Sequence, residues 1–199
     1  MKFISLCLIF IAIWCNCTAQ NISNTKSTDA LKSEAAKNIQ SGYEAYKKIA
    51  MSIWDYAEVG YKENKSSTLL QNTLKDNGFK VDGGIAGMPT AFIATYGSGS
   101  PVIAILAEYD ALPGLSQEDS PAKSPIAQRN SGHGCGHNLF GTGSVASGIA
   151  IKTLMAEGKI KGTLKVFGCP AEEGGDGQVY LVREGFFKEV DVALHWHPD

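Results

Sequence analysis

The side chains best suited to chemistry fall in four short clusters: AEYDALPG with Glu108 and Asp110, SGHGCGHN with His133, Cys135 and His137, CPAEEGGDG with Glu172 and Glu173, and VALHWHPD with His195 and His197. In the second cluster three potential metal ligands lie within five residues, interleaved with glycines that let the backbone turn until side chains converge. Thiolate and neutral imidazole are good ligands for Zn2+ and similar ions. The same residues admit a Cys-His nucleophilic pair or a disulfide between Cys135 and Cys169. The adjacent Glu172 and Glu173 suit one carboxylate as metal ligand and the other as general base. Taken singly, each cluster also has a plain structural reading. An isolated Glu-Glu pair is more often a solvated loop, an Asp before a Pro-Gly turn more often caps local backbone, and a lone strand histidine is usually a satisfied core residue. All four histidines nevertheless fall in two of these clusters, and that coincidence favours a metal site.

The elements that must position the clusters are legible as periodic segments. Asp29 to Ala57 has helical spacing (Leu31, Ala35, Ile39, Tyr43, Tyr46, Ile49, Ile53), capped by Thr28 or Asp29, and reads as one long amphipathic helix. Ser66 to Asn77 repeats the pattern, with Gly78 as a stop. Apolar, β-branched runs at Ala91–Tyr96, Val102–Ala107, Leu164–Phe167 and Val190–Trp196 predict strands, separated later in the chain by helices over Asn138–Glu157 and about Gly177–Gly185. Strands alternating with helices imply parallel βαβ crossovers. In such a sheet ligands bind beyond the carboxyl ends of the strands, which is where the first, third and fourth clusters lie, the second standing directly before the Asn138 helix. The Ser/Pro-rich stretch Ser116–Ser131 is the one long irregular connection, and loops of that kind tend to be functional.

Composition narrows the function classes. With 44% hydrophobic and 19% charged residues over 199 positions, the chain has the means to bury a core. A net charge of −2 and no long basic run remove the electrostatic footprint of a nucleic-acid binder, so a small-molecule substrate is expected. Lys2, the apolar stretch Phe3–Trp14 and the small and polar residues up to Gln20 read as a signal peptide over residues 1–20, implying a secreted or periplasmic protein without a membrane span. Lipid anchoring through Cys15 or Cys17 is a minor alternative. Only Cys135 and Cys169 then remain in the folded part, which is no disulfide framework.

In order, AEYDALPG, GHGCGHNLFGTG, PAEEGGDG and ALHWHPD resemble the metal-site motifs of the aminoacylase/carboxypeptidase-type dinuclear metallopeptidases, in particular the aminobenzoyl-glutamate hydrolase-like amidohydrolase branch. The similarity runs from the WDYAEVGYKE segment to the last residue. It implies an α/β fold, a mostly parallel mixed sheet flanked by helices in a zinc-exopeptidase-like catalytic domain. It further implies two divalent metal ions, Zn2+ or Mn2+, with Cys135, His137, Glu173 and His197 as ligands and Glu172 as general base. In this family Asp110 matches an acidic residue that orients a neighbouring ligand, and His133 an extra histidine near the site. One branch places the last-strand ligand at His195, whereas the branch with His-Pro places it at His197.

The implied reaction is hydrolysis of an amide in an N-acyl or aminobenzoyl amino acid or a small dipeptide. Family members continue into a lid and dimerisation domain and then return to the catalytic domain with a further histidine ligand, and full-length members are expected to be homodimers. Residues 21–199 are therefore expected to be the N-terminal part of such a domain, truncated. The rival expectations are a non-catalytic metal-binding remnant and a cysteine-nucleophile hydrolase acting through Cys135.

Overall fold

The computed structural model describes residues 27–198; the segment read as a signal peptide, with Cys15 and Cys17, lies outside the described residues. Five strands form one mixed sheet in the order β1-β2-β6-β3-β7, with β1 at Lys80–Gly83, β2 at Phe92–Ser98, β3 at Val102–Glu108, β6 at Gly162–Cys169 and β7 at Val192–Leu194. Strand β3 runs parallel to both β6 and β7, whereas β2 is antiparallel to both β1 and β6. Helix α4 (His137–Ala156) joins β3 to its parallel neighbour β6, and α5 (Glu172–Gly175) with α6 (Gly177–Arg183) carries the chain from β6 to β7 on the far side of β3, the crossovers that the alternating pattern predicts.

Both faces of the sheet are covered, which is why its central strands read as unbroken apolar runs. Because successive strand residues point to opposite faces, Phe92, Ala94, Ile105, Ala107, Leu164 and Val166 enter one core with Leu70, Leu74, Val145 and Ile149. Ile93, Ala104, Leu106, Phe167 and Cys169 enter a second core with Leu181 of α6. The first face carries α4 together with α2 (Tyr43–Tyr56) and α3 (Asn64–Asp76), which pack on it and on each other. By length and composition α4 could cross a membrane, yet more than half of its apolar window is buried inside the molecule. It is the core helix of this fold, and its closeness to the sheet depends on a missing side chain. A Cβ on Gly141 would stand 2.6 Å from the backbone oxygen of Glu108 and 3.3 Å from Leu70 Cδ1.

Three expectations need correction. The long N-terminal helix is two, α1 over residues 27–41 and then α2, divided at Gly42. Gly42 sits at φ −93°, ψ 5° and its N–H donates to Ile39 three residues back, a kink of the kind Ser-Gly pairs produce. Strand β1 is an addition to the expected set: it is a largely exposed edge carrying Lys80 and Asp82 and has no apolar alternation. The last strand stops at Leu194, because His195 and Trp196 turn their polar atoms toward Glu108 and Ser144. The irregular 114–130 connection is as expected, closed at its base by a two-stranded ribbon of β4 (Leu112–Pro113) and β5 (Ser131–Gly132).

Adding a methyl group at the α4–β3 contact tests this packing directly. Gly141→Ala gains helix propensity but overpacks the interface, and the net expectation is a loss of about 1–3 kcal/mol in denaturant unfolding. Stability equal to the parent's would mean that helix and sheet separate there at no cost.

Candidate metal centre

The parallel strands β3, β6 and β7 end at one edge of the sheet, and the four clusters meet there. Asp110 follows β3 and is fully buried. His137 is the first residue of α4, set there by Gly136 in the left-handed region (φ 83°), a backbone that a glycine adopts without strain. The His137 ring nitrogen Nδ1 lies 2.9 Å from Asp110 Oδ1. An ionised carboxylate only accepts, so Nδ1 carries the proton and Nε2 presents a lone pair. Burial opposes protonation of His137, but Asp110, Glu108 and Glu173 outweigh it and raise its pKa.

Glu172 and Glu173 occupy the first turn of α5, not an extended strand exit, and Ala171 before them is left-handed. Asp110 Oδ2 accepts the Glu173 N–H at 3.0 Å, so one aspartate fixes both α4 and α5. The Glu172 and Glu173 carboxylates stand 3.7 and 3.9 Å from His137 Nε2. Partial burial, then Glu108, raise the Glu172 pKa, with His137 opposing.

Glu108, named in the first cluster but given no role there, belongs to this site. It is buried, and its Oε1 accepts from Gln178 Nε2 at 2.6 Å and lies 3.0 Å from His195 Nε2. Its other oxygen, Oε2, stands 3.3 Å from His137 Nε2 without a hydrogen bond. The available signal was alternation: Glu108 and Asp110 point the same way past the end of β3.

The two histidines of the last cluster separate. His197 Nε2 lies 3.2 Å from Cys135 Sγ, whereas His195 goes to Glu108. Ligand atoms of Cys135, His137 and His197 lie within 4.8 Å of one another, and so do those of Glu108, His137 and Glu172. His133 joins neither group. Its Nε2 meets the Ile53 carbonyl at 3.0 Å, and burial pushes its pKa down to about 4. Cys135 and Cys169 are both free thiols, which removes the disulfide reading. Burial, and then the surrounding carboxylates Glu173, Glu172 and Glu108, push the Cys135 thiol up to about 11.

Whether these residues fit a cation can be judged from their unmet polar atoms. His137 Nε2, Glu108 Oε2 and Glu173 Oε1 are buried without hydrogen-bond partners, and the two carboxylate oxygens stand 3.3 and 3.9 Å from the imidazole nitrogen. Unsatisfied buried groups are costly and rare. Two carboxylate oxygens and an imidazole lone pair converging in this way, with a thiol beside them, make a donor set that fits a divalent ion.

The profile of peptidase family M20/M25/M40 matches residues 104–199. One of the polypeptides of p-aminobenzoyl-glutamate hydrolase from Escherichia coli is 45% identical over 162 residues, which cover 81% of this chain and 34% of that protein. The Xaa-Arg dipeptidase of Mus musculus is 30% identical over 190 residues, covering 88% of this chain and 40% of the dipeptidase. The chain thus spans 34–40% of the length of these relatives. Among solved structures, the YXEP protein of Bacillus subtilis, described as a dinuclear metal binding peptidase from the M20 family, superposes with a TM-score of 0.68 at 23% identity, over 80% of this chain and 45% of that one. An aminobenzoyl-glutamate utilization protein from Klebsiella pneumoniae gives a TM-score of 0.60 at 16% identity, over 81% and 46%. Residues 104–199 thus carry a domain of peptidase family M20/M25/M40.

Proposed function

We propose that the protein is a metal-dependent amidohydrolase acting on an N-acyl or aminobenzoyl amino acid or a small dipeptide, and that residues 21–199 contribute the N-terminal part of its catalytic domain behind a secretion signal. The observation that carries the reading is the convergence of three partnerless buried atoms, on His137, Glu108 and Glu173, beside Glu172. The E. coli and mouse relatives, a hydrolase of p-aminobenzoyl-glutamate and a dipeptidase by name, support the substrate class.

Cys135, His137, Glu173 and His197 are the residues that would hold two divalent ions, Zn2+ or Mn2+, with Glu108 and His195 beside them. Bound there, such ions acidify water and polarise an amide carbonyl. Glu172 is the base. Its raised pKa brings its proton affinity nearer that of neutral solution, where it takes a proton from the attacking water and returns it to the leaving amine. Asp110 keeps the His137 ring oriented with Nε2 bare. Thiol catalysis by Cys135 is disfavoured, because nucleophilic cysteines sit in electropositive surroundings and this one is ringed by carboxylates.

Three outcomes are expected. Glu172→Gln lowers kcat for aminobenzoyl-glutamate about 10²–10⁴-fold while metal content by elemental analysis stays at the parental value. Asp110→Asn weakens Zn2+ or Mn2+ binding about 10–100-fold, read by competition with a chromogenic chelator, because the partner that fixes the imidazole is impaired. Activity in the parent disappears on chelation and returns with metal. Hydrolysis that survives chelators and stops on alkylation of Cys135 would move the chemistry to the thiol.

A further inference from the structure

Glu63 is fully buried, lies outside the four clusters and has no part in the mechanism above. Its carboxylate is nevertheless tied to the backbone that presents Glu172 and Glu173. Strand β6 ends at Cys169 and Pro170 has no N–H, so the amide of Ala171 is the first donor past the strand. Ala171 is buried and its N–H needs an acceptor, which is Glu63 Oε1 at 2.8 Å. Ala171 stands at φ 58°, ψ 38°. For a residue with a Cβ that conformation is strained and persists only where the surroundings hold it.

The same short segment grips the far end of the turn. Tyr61 donates its hydroxyl to the Gly175 carbonyl at 2.6 Å, immediately before Asp176, which is again left-handed at φ 48°. The segment is itself anchored on both sides. The Glu58 carbonyl accepts the Ala111 N–H at 2.8 Å, and the Glu58 carboxylate accepts the N–H groups of Lys65 and Ser66 at the start of α3. The second oxygen of Glu63 accepts the Thr90 hydroxyl at 2.9 Å, and the Thr90 carbonyl in turn accepts from Tyr109 and Ser67. Glu63 is therefore a fixed point, not a mobile side chain.

We propose that Glu63 is a positioning residue: through the Ala171 N–H, and with Tyr61 at Gly175, it holds the turn 171–175 so that Glu172 and Glu173 face His137. The kinetic part of the proposal rests on the reading of Glu172 as the base. An amide can replace the carboxylate here, since a glutamine oxygen accepts from Ala171 while its NH2 donates to the Thr90 hydroxyl; a methyl group cannot, and leaves a buried donor unpaired.

The test compares Glu63→Ala, Glu63→Gln and Tyr61→Phe in the full protein by amide hydrogen exchange, thermal unfolding and steady-state hydrolysis of p-aminobenzoyl-glutamate. Displacement of a base by about 1 Å costs up to about 10²-fold, so Glu63→Ala is expected to lower kcat about 10–100-fold with KM little changed, and to speed exchange at residues 171–175. Glu63→Gln should restore both. A purely structural role would lower the unfolding temperature alone, so an alanine variant that unfolds earlier while the folded fraction keeps parental kcat and parental exchange at 171–175 overturns the proposal. If Glu63→Ala does not fold, Tyr61→Phe decides, because loss of the Gly175 contact must still raise exchange across the turn. Should the parent protein not hydrolyse amides, the amidohydrolase reading fails, and the exchange comparison still accepts or rejects the tether.

Discussion

The arrangement turns on the Asp110 carboxylate. Buried just beyond β3, it orients His137 through one oxygen and accepts the Glu173 N–H through the other. A buried carboxylate is tolerated only when its oxygens are met by donors, and both donors here sit at the starts of helices that follow other strands or loops. The hydrogen bonds that stabilise the charge therefore also join the end of β3 to the beginnings of α4 and α5. Where Asp110 sits decides where the imidazole and the two glutamates sit.

Around that point the charge is one-sided. Glu63, Glu108, Asp110, Glu172 and Glu173 act on one another strongly enough that burial and mutual repulsion raise the pKa values of Glu63 and Glu172 and push the Cys135 thiol to about 11. In a poorly screened interior such repulsion is a standing cost, and none of the described Lys or Arg side chains forms an ion pair with these carboxylates. A divalent ion bound there would reverse the balance, turning these acidic groups and a thiol from mutual hindrance into a counter-charge. It would have to displace the Cys135 proton to gain a thiolate ligand, so uptake would release protons and strengthen with rising pH.

Much of this was legible in the sequence, and the exceptions share a cause. The apolar runs of β2, β3 and β6 and the small-residue helix α4 report local burial, and clusters at strand exits or at a helix start needed only the edge rule to be brought together. Asp110 was legible through its motif but ambiguous by residue type, since only the fold puts His137 within 2.9 Å of it. Glu108 stood in the first cluster without a role and Glu63 was silent, because their roles depend on partners far along the chain: His195 lies 87 residues from Glu108, and Ala171 lies 108 from Glu63. Strand β1 and the Gly42 break escaped for the opposite reason. Each is an exposed local feature whose side chains carry no burial pattern.

The two last histidines show how a short irregular stretch does what a longer strand would not. Alternate residues of a strand share a side, which would have sent His195 and His197 to one place. Beyond Leu194, where β7 ends, the chain turns instead. Trp196 is drawn inward by its N–H to the Ser144 hydroxyl, itself bonded to the Leu106 carbonyl. Phe140 of α4 stands between the histidines, its ring centroid 4.8 Å from that of His195 and 5.9 Å from that of His197. Wrapped around that ring, His195 reaches the carboxylate of Glu108 and His197 reaches the thiol of Cys135. One tripeptide thus supplies an imidazole to each side of His137, a hard oxygen-rich side and a soft sulfur-bearing one, and that asymmetry would give two adjacent ions different ligands.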